Sequence, residues 1–180
     1  MTKPTTPPVL NIDDVLATQE LVDTNPRRGQ FESRMGAIGR ALDTKGIGIN
    51  VTVVPPGRKA WPRHYHYVND EMFIVLNGTG TLHFGDDDHP VKPRDIIYIR
   101  GGTGIPFQLE NTGTEELEYL GLSTMIPGDV FHYVDSGKYG VMAAGTPFRV
   151  IETGGLPKFT RFIHGDMSAA YWDGEPDAQD

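Results

Sequence analysis

The chain has no cysteine. That excludes disulfides, thiolate metal sites and a cysteine nucleophile, so any metal must be held by His, Asp or Glu. No apolar run approaches the roughly 18 to 20 residues that a membrane-spanning helix needs, and the start, Met1-Thr2-Lys3-Pro4, lacks the charged-then-apolar pattern of a secretion signal. A cytoplasmic protein with no membrane partner is the expectation. Basic residues are few: 16 Lys and Arg stand against 24 Asp and Glu, a net charge of −8. Nucleic-acid binding calls for a basic face, so no nucleic-acid partner is expected. No serine has the setting of a nucleophile elbow. Gly101-Gly102-Thr103-Gly104 lacks the strand-to-helix context of a phosphate-cradling loop and reads as a turn.

What is there is glycine, proline and period two. At 180 residues a single core of ordinary size with modest extensions is expected. Residues 1–44 read as an N-terminal arm, with one short helix opened by Asn11-Ile12-Asp13-Asp14, running through Val22 and closed by Asn25-Pro26. From Lys45 the apolar residues Ile47, Ile49, Val51 and Val53 alternate with Gly48, Asn50, Thr52 and Val54 until Pro55-Pro56-Gly57 stops the run, as in a half-buried strand. Further strands are expected at Trp61–Tyr67, Glu71–Leu76, Thr81–Phe84, Asp95–Ile99, Phe107–Glu110 and Leu117–Thr124, with turns at Asn77-Gly78, Gly85-Asp86-Asp87-Asp88, Lys92-Pro93-Arg94 and Asn111-Thr112-Gly113. Short strands at even spacing, with 22 Gly and 14 Pro in the chain, argue for an all-β sandwich or barrel over residues 45–125. Residues 126–180 read as an extension packing on the barrel or on a dimer partner, with added strands at Phe148–Glu152 and Phe159–His164.

The chemistry concentrates in one stretch. His64 and His66, one residue apart on a strand, point to the same face. Glu71 joins them if the chain turns at Asn69-Asp70 and returns alongside. Two imidazoles and a carboxylate converging inside a β-fold suit a divalent metal ion such as Fe, Mn, Zn or Ni. The competing reading is a hydrogen-bonded polar cluster without metal.

Gly57, His64, His66, Glu71 and Gly78, with six residues between Gly57 and His64, resemble the first motif of the cupin superfamily: glycine, spacer, His-x-His, Glu, glycine. Pro93-Arg94-Asp95 and Phe107-Gln108-Leu109-Glu110-Asn111 resemble its second, a Pro-Gly-Asp turn followed by a strand with a histidine four residues before an asparagine. The resemblance, to single-domain cupins, spans about residues 45–125 and implies the double-stranded β-helix, a jelly-roll barrel. Two departures stand out. Phe107 occupies the position of the third histidine ligand, and Arg94 that of the turn glycine. Gln108, next to Phe107, should face away from the site unless a bulge intervenes. Asp135-Ser136-Gly137-Lys138 and Tyr171-Trp172-Asp173-Gly174-Glu175 resemble a subgroup of uncharacterised cupins described as sugar-binding or sugar-phosphate-isomerase-like.

Phe73, Phe107 and Tyr119 are candidates to line a pocket, though aromatic residues on an inner face are commonly core. Arg58, Lys59, Arg63 and Arg100 would favour an anionic ligand if gathered at the barrel mouth; otherwise they are solvated surface charge. Two functions remain open. One is a binding module for a polar, carbohydrate-like or small organic-acid ligand. The other is a metal-dependent enzyme, a sugar or sugar-phosphate isomerase or epimerase, or a dioxygenase. Strand edges that need covering point to a homodimer.

Overall fold

A computed structural model describes residues 8–18, 21–23, 29–143 and 160–165. The expected strand at Phe148–Glu152 and the Tyr171–Glu175 motif lie outside these residues. In chain order the elements are α1 (Ile12–Thr18), β1 (Leu21–Asp23), β2 (Ser33–Gly36), α2 (Ile38–Ala41), β3 (Ile47–Val54), β4 (His64–His66), β5 (Glu71–Asn77), β6 (Gly80–Phe84), β7 (Asp87–Val91), β8 (Ile96–Ile99), β9 (Phe107–Glu110), β10 (Leu117–Thr124), β11 (Asp129–Tyr133), β12 (Lys138–Met142) and β13 (Thr160–His164). They form two sheets, one in the order β1-β2-β3-β10-β5-β8 and the other β13-β12-β11-β4-β9-β6-β7, with every pairing antiparallel. This is the expected all-β jelly roll.

Alternation decides which side chains fill the space between the sheets. Val54, Phe73, Val75, Leu82, Ile97, Phe107, Leu109, Leu117 and Tyr119 belong to one buried cluster. β3 departs from expectation because both of its faces are covered. Thr52 lies opposite Tyr119 on the inner side, whereas Val51 packs with Val15 of α1 and Ile38 of α2 on the outer side. The segment expected to be a peripheral arm therefore supplies a second apolar layer. Each of those aliphatic side chains contributes roughly 1.5–3 kcal/mol by leaving water.

α1 begins where Asn11 predicts, with the Asn11 side chain accepting from the Asp13 N–H at 2.8 Å. It stops at Thr18, four residues before the expected Val22, because Leu21–Asp23 pairs with β2 instead. Tertiary pairing overrides helical propensity there. β4 is shorter than the expected Trp61–Tyr67, consistent with Pro62 having no N–H to give to a ladder. β7 runs through residues read as a turn. Its Asp87, Asp88 and Pro90 are turn formers, but β7 is an edge strand, where charge and proline are tolerated.

Both cupin-like turns keep their backbone geometry. Gly78 has φ +75°, and a Cβ there would sit 2.3 Å from the Glu116 carbonyl oxygen, so only glycine fits. Arg94 has φ +78°, in the turn closed by the Asp95 N–H to the Lys92 carbonyl at 3.1 Å. The arginine thus adopts the left-handed conformation that the motif reserves for glycine, at a cost of about 1–2 kcal/mol. Asn111 is fully buried. It donates to the carbonyls of Val54 and Glu115, both at 2.7 Å, and accepts from the Gly113 N–H at 3.0 Å. The asparagine of the second motif therefore ties the end of β3 to the β9–β10 loop.

Candidate metal centre

His64 and His66 come from β4, between β11 and β9 in one sheet, and Glu71 opens β5, between β10 and β8 in the other. The corner joining them is held by Asn69 and Asp70, as the turn residues predict. Asn69 accepts from the Thr124 hydroxyl at 3.0 Å and the Ile126 N–H at 2.8 Å. Asp70 accepts from the Gly101 N–H at 2.8 Å and the Tyr98 hydroxyl at 2.9 Å. The chain thus crosses between sheets in one step and turns the carboxylate back toward the imidazoles. The three half-buried side chains each offer a ligand atom within 4.8 Å of the others. Among the described residues this is the one such grouping.

Hydrogen bonds settle which nitrogens are available. His64 Nδ1 lies 2.7 Å from the Pro62 carbonyl oxygen, which can only accept, so Nδ1 carries the proton. His66 Nδ1 lies 2.6 Å from Asp129 Oδ2 and donates to it for the same reason. In the neutral rings both Nε2 lone pairs are left free. His66 Nε2 is 3.8 Å from Glu71 Oε1, too far for a hydrogen bond. Free imidazole nitrogens and a carboxylate facing one another across such a gap are donors that suit a divalent ion.

Protonation follows from the surroundings. Burial, reinforced by His66, lowers the His64 pKa from 6.5 to about 3. Burial also pulls His66 down, but Glu71 and Asp129 outweigh it and leave its pKa raised. Burial raises Glu71, against the opposing effect of His66. Asp129 is lowered overall, because hydrogen bonds from His66, Asn69 and the Val68 N–H overcome its burial.

Of the aromatic candidates, Phe107 packs directly on this cluster. Phe107 faces His64 across the β4–β9 ladder, with ring centroids 4.7 Å apart, and Phe73 touches both Phe107 at 5.8 Å and Tyr119 at 5.6 Å. All three are buried members of the core cluster. Burial raises the pKa of Tyr119, so it stays a neutral phenol. Gln108 turns the other way and donates to the Trp61 carbonyl at 2.6 Å, as strand alternation requires.

Three of the four basic candidates, Arg58, Lys59 and Arg63, are engaged away from the site. Arg58 meets Glu32 at 3.3 Å and Lys59 meets Glu110 at 3.4 Å. Arg63 donates to the Gly85 carbonyl. Lys59 and Arg63, with His83, Gln108 and Asp135, line a separate surface depression of about 440 Å³. His83 is held there between Asp88 at 2.6 Å and Glu110 at 2.9 Å.

Asp129 is the site residue that sequence reasoning missed. The signal was present in Pro127-Gly128-Asp129 followed by Val130-Phe131-His132-Tyr133, a turn leading into a strand whose alternation puts Asp129, Phe131 and Tyr133 on one face. Phe131 and Tyr133 indeed reach the two histidines, with centroids 5.4 Å from His66 and 5.6 Å from His64.

A jelly roll with a His-x-His and Glu cluster between its sheets is the arrangement that the cupin resemblance implies. Residues 50–126 match the model of the cupin domain, and the chain carries that domain. Over 111 residues it is 32% identical to auxin-binding protein 1 of Arabidopsis thaliana, covering 57% of this chain and 55% of that one. Over 105 residues it is 28% identical to an oxalate-binding protein of Thermotoga maritima, covering 57% of this chain and 84% of that one. The chain spans 55–60% of the length of two of its curated relatives. Among solved structures, a cupin-superfamily sugar phosphate isomerase from Silicibacter pomeroyi superposes with a TM-score of 0.70 at 22% identity, covering 92% of this chain and 98% of that one. No helix among the described residues is long and apolar enough to cross a membrane.

Proposed function

We propose that this protein is a small-molecule-binding cupin whose pocket is centred on a divalent metal ion held by His64, His66 and Glu71. The observation that carries this reading is the pair of bare Nε2 atoms, each left free because its Nδ1 is committed elsewhere, facing a carboxylate across the barrel. Three protein donors leave coordination positions for a ligand with oxygen atoms. Phe73, Phe107 and Tyr119 supply the apolar wall of the pocket. A polar, carbohydrate-like or small organic-acid ligand matches such a site. The resemblance to a protein named for oxalate binding supports the acid, and the fold shared with a protein named as a sugar phosphate isomerase brings sugar phosphates into the test.

A metal-dependent isomerase, epimerase or dioxygenase is the second reading, favoured by the raised pKa of Glu71 beside the free coordination positions. An ion bound there would supply Lewis acidity toward a carbonyl or enediolate oxygen. Glu71 is placed to hold or release a proton at its Oε1. Asp129, the second carboxylate at the site, is already engaged by three N–H donors, which puts binding ahead of catalysis.

Elemental analysis of protein purified without added metal tests the centre. One ion per chain is expected, and it should be lost in both His64→Ala and His66→Ala. Metal absent from the wild type, or retained in both variants, removes the proposal. A thermal-shift panel of sugars, sugar phosphates and small organic acids then tests the pocket. A ligand at a hundredfold excess over its dissociation constant adds about 2.7 kcal/mol to stability.

A further inference from the structure

The donors His64, His66 and Glu71 all lie within the cupin-domain match of residues 50–126, but the residue that orients one of them does not. Asp129 opens β11, the strand that adds to the outer side of β4. Its carboxylate is 2% exposed and receives three donors: His66 Nδ1 at 2.6 Å and Asn69 Nδ2 at 2.9 Å on Oδ2, and the Val68 N–H at 3.1 Å on Oδ1. Asn69 also donates to the Ile126 carbonyl at 3.2 Å and accepts from the Ile126 N–H, so it clamps the same corner that delivers Glu71.

We propose that Asp129 is a positioning residue, supplied from beyond the cupin domain, that fixes His66 in the Nδ1-protonated tautomer and, through Asn69, holds His66 and Glu71 in register. This rests on the reading of the cluster as a metal centre only for its effect on affinity, since the tautomer belongs to the metal-free protein. The argument is one of acceptors. Three N–H donors converge on two oxygens that can only accept. A neutral amide of the same shape presents one oxygen and one NH₂ group, so one end must set donor against donor. Either His66 turns or changes tautomer, or the Val68–Asn69 corner moves. A carboxylate behind a ligating imidazole raises its basicity and sets its ring orientation, and loss of such a partner costs 10–100-fold in metal affinity.

The test uses the full chain, free of metal and labelled with ¹⁵N, at alkaline pH where both imidazoles are neutral. The wild type should show His66 with Nδ1 protonated and Nε2 bare. The opposite tautomer there overturns the proposal without any variant. Asp129→Asn, which keeps the shape and so the fold, should populate the other tautomer. Its affinity for Co(II), followed by the ion's visible absorption, should fall 10–100-fold, and Asp129→Ala should do at least as much. An unchanged tautomer with Co(II) affinity within about twofold of wild type in a folded Asp129→Asn protein also overturns it. If the wild type takes up no Co(II) while the tautomer behaves as stated, the metal reading fails and the positioning role stands.

Discussion

His64 and Phe107 stand directly opposite each other on β4 and β9, with their rings 4.7 Å apart. The strand position from which a cupin of the usual pattern would send a third imidazole toward the ion is thus filled by an aromatic ring packed against a first-motif histidine. On the proposed metal reading, Phe107 leaves this strand position without the donor atom of a fourth ligand.

Phe107→His should therefore restore a donor. Its metal affinity is expected to rise by about tenfold or more, equivalent to ~1.4 kcal/mol. Burying a polar ring in the core should at the same time lower the stability of the metal-free protein by roughly 1–3 kcal/mol. Competition with a chelator reads the first effect and urea unfolding the second. Affinity equal to wild type would show that this strand position no longer points at the site.

Arg94→Gly relieves a left-handed arginine. The strain of about 1–2 kcal/mol is partly offset by the greater freedom of glycine in the unfolded chain, so a net gain of about 0.5–1 kcal/mol is expected. A thermal midpoint unchanged or lowered in the variant would contradict the strain argument.

Asn111→Ala should be far more damaging. The carbonyls of Val54 and Glu115 and the Gly113 N–H lose their partner together, and each unsatisfied buried group costs about 1–3 kcal/mol. A loss of at least about 3 kcal/mol is expected in denaturant melts. A loss under 1 kcal/mol would mean that water replaces the side chain freely.

The pH dependence of the metal-free protein has a definite sign. His64 has a folded pKa of about 3 against an ordinary 6.5, so between those values the unfolded chain binds a proton that the folded chain refuses. The contribution of this residue is fully present above pH 6.5 and is lost as the pH falls toward 3. The slope from one proton approaches 1.36 kcal/mol per pH unit. Replacing His64 by Ala should flatten the stability profile over that window, and parallel profiles for variant and wild type would show that His64 titrates normally.

Much of the fold was open to reading because its signals are local. β3, β9 and β10 fall where the apolar alternation and the flanking glycines and prolines place them, and His64, His66 and Glu71 meet as strand geometry requires. β7 was hidden because Gly85-Asp86-Asp87-Asp88 reads as a turn when its position at a sheet edge is unknown. The strand at Leu21–Asp23 pairs with β2, and β2 in turn with β3, relations that no short window reveals.

The amino-acid sequence by itself determined an all-β sandwich or barrel, the shared face of the two imidazoles and the turn that returns Glu71 to them, since each follows from dihedral preferences and from side chains alternating over a few residues; the jelly roll was what the cupin resemblance implied. Only the tertiary structure decided that Asp129, 63 residues beyond His66, stands behind that ring, and that Arg58 and Lys59 are neutralised by Glu32 and Glu110 away from the site. Those relations arise from strand order in the sheets. Strand order is chosen by the burial of the whole core rather than by any stretch of chain, so residues far apart in sequence become hydrogen-bond partners only once the two sheets have closed on each other.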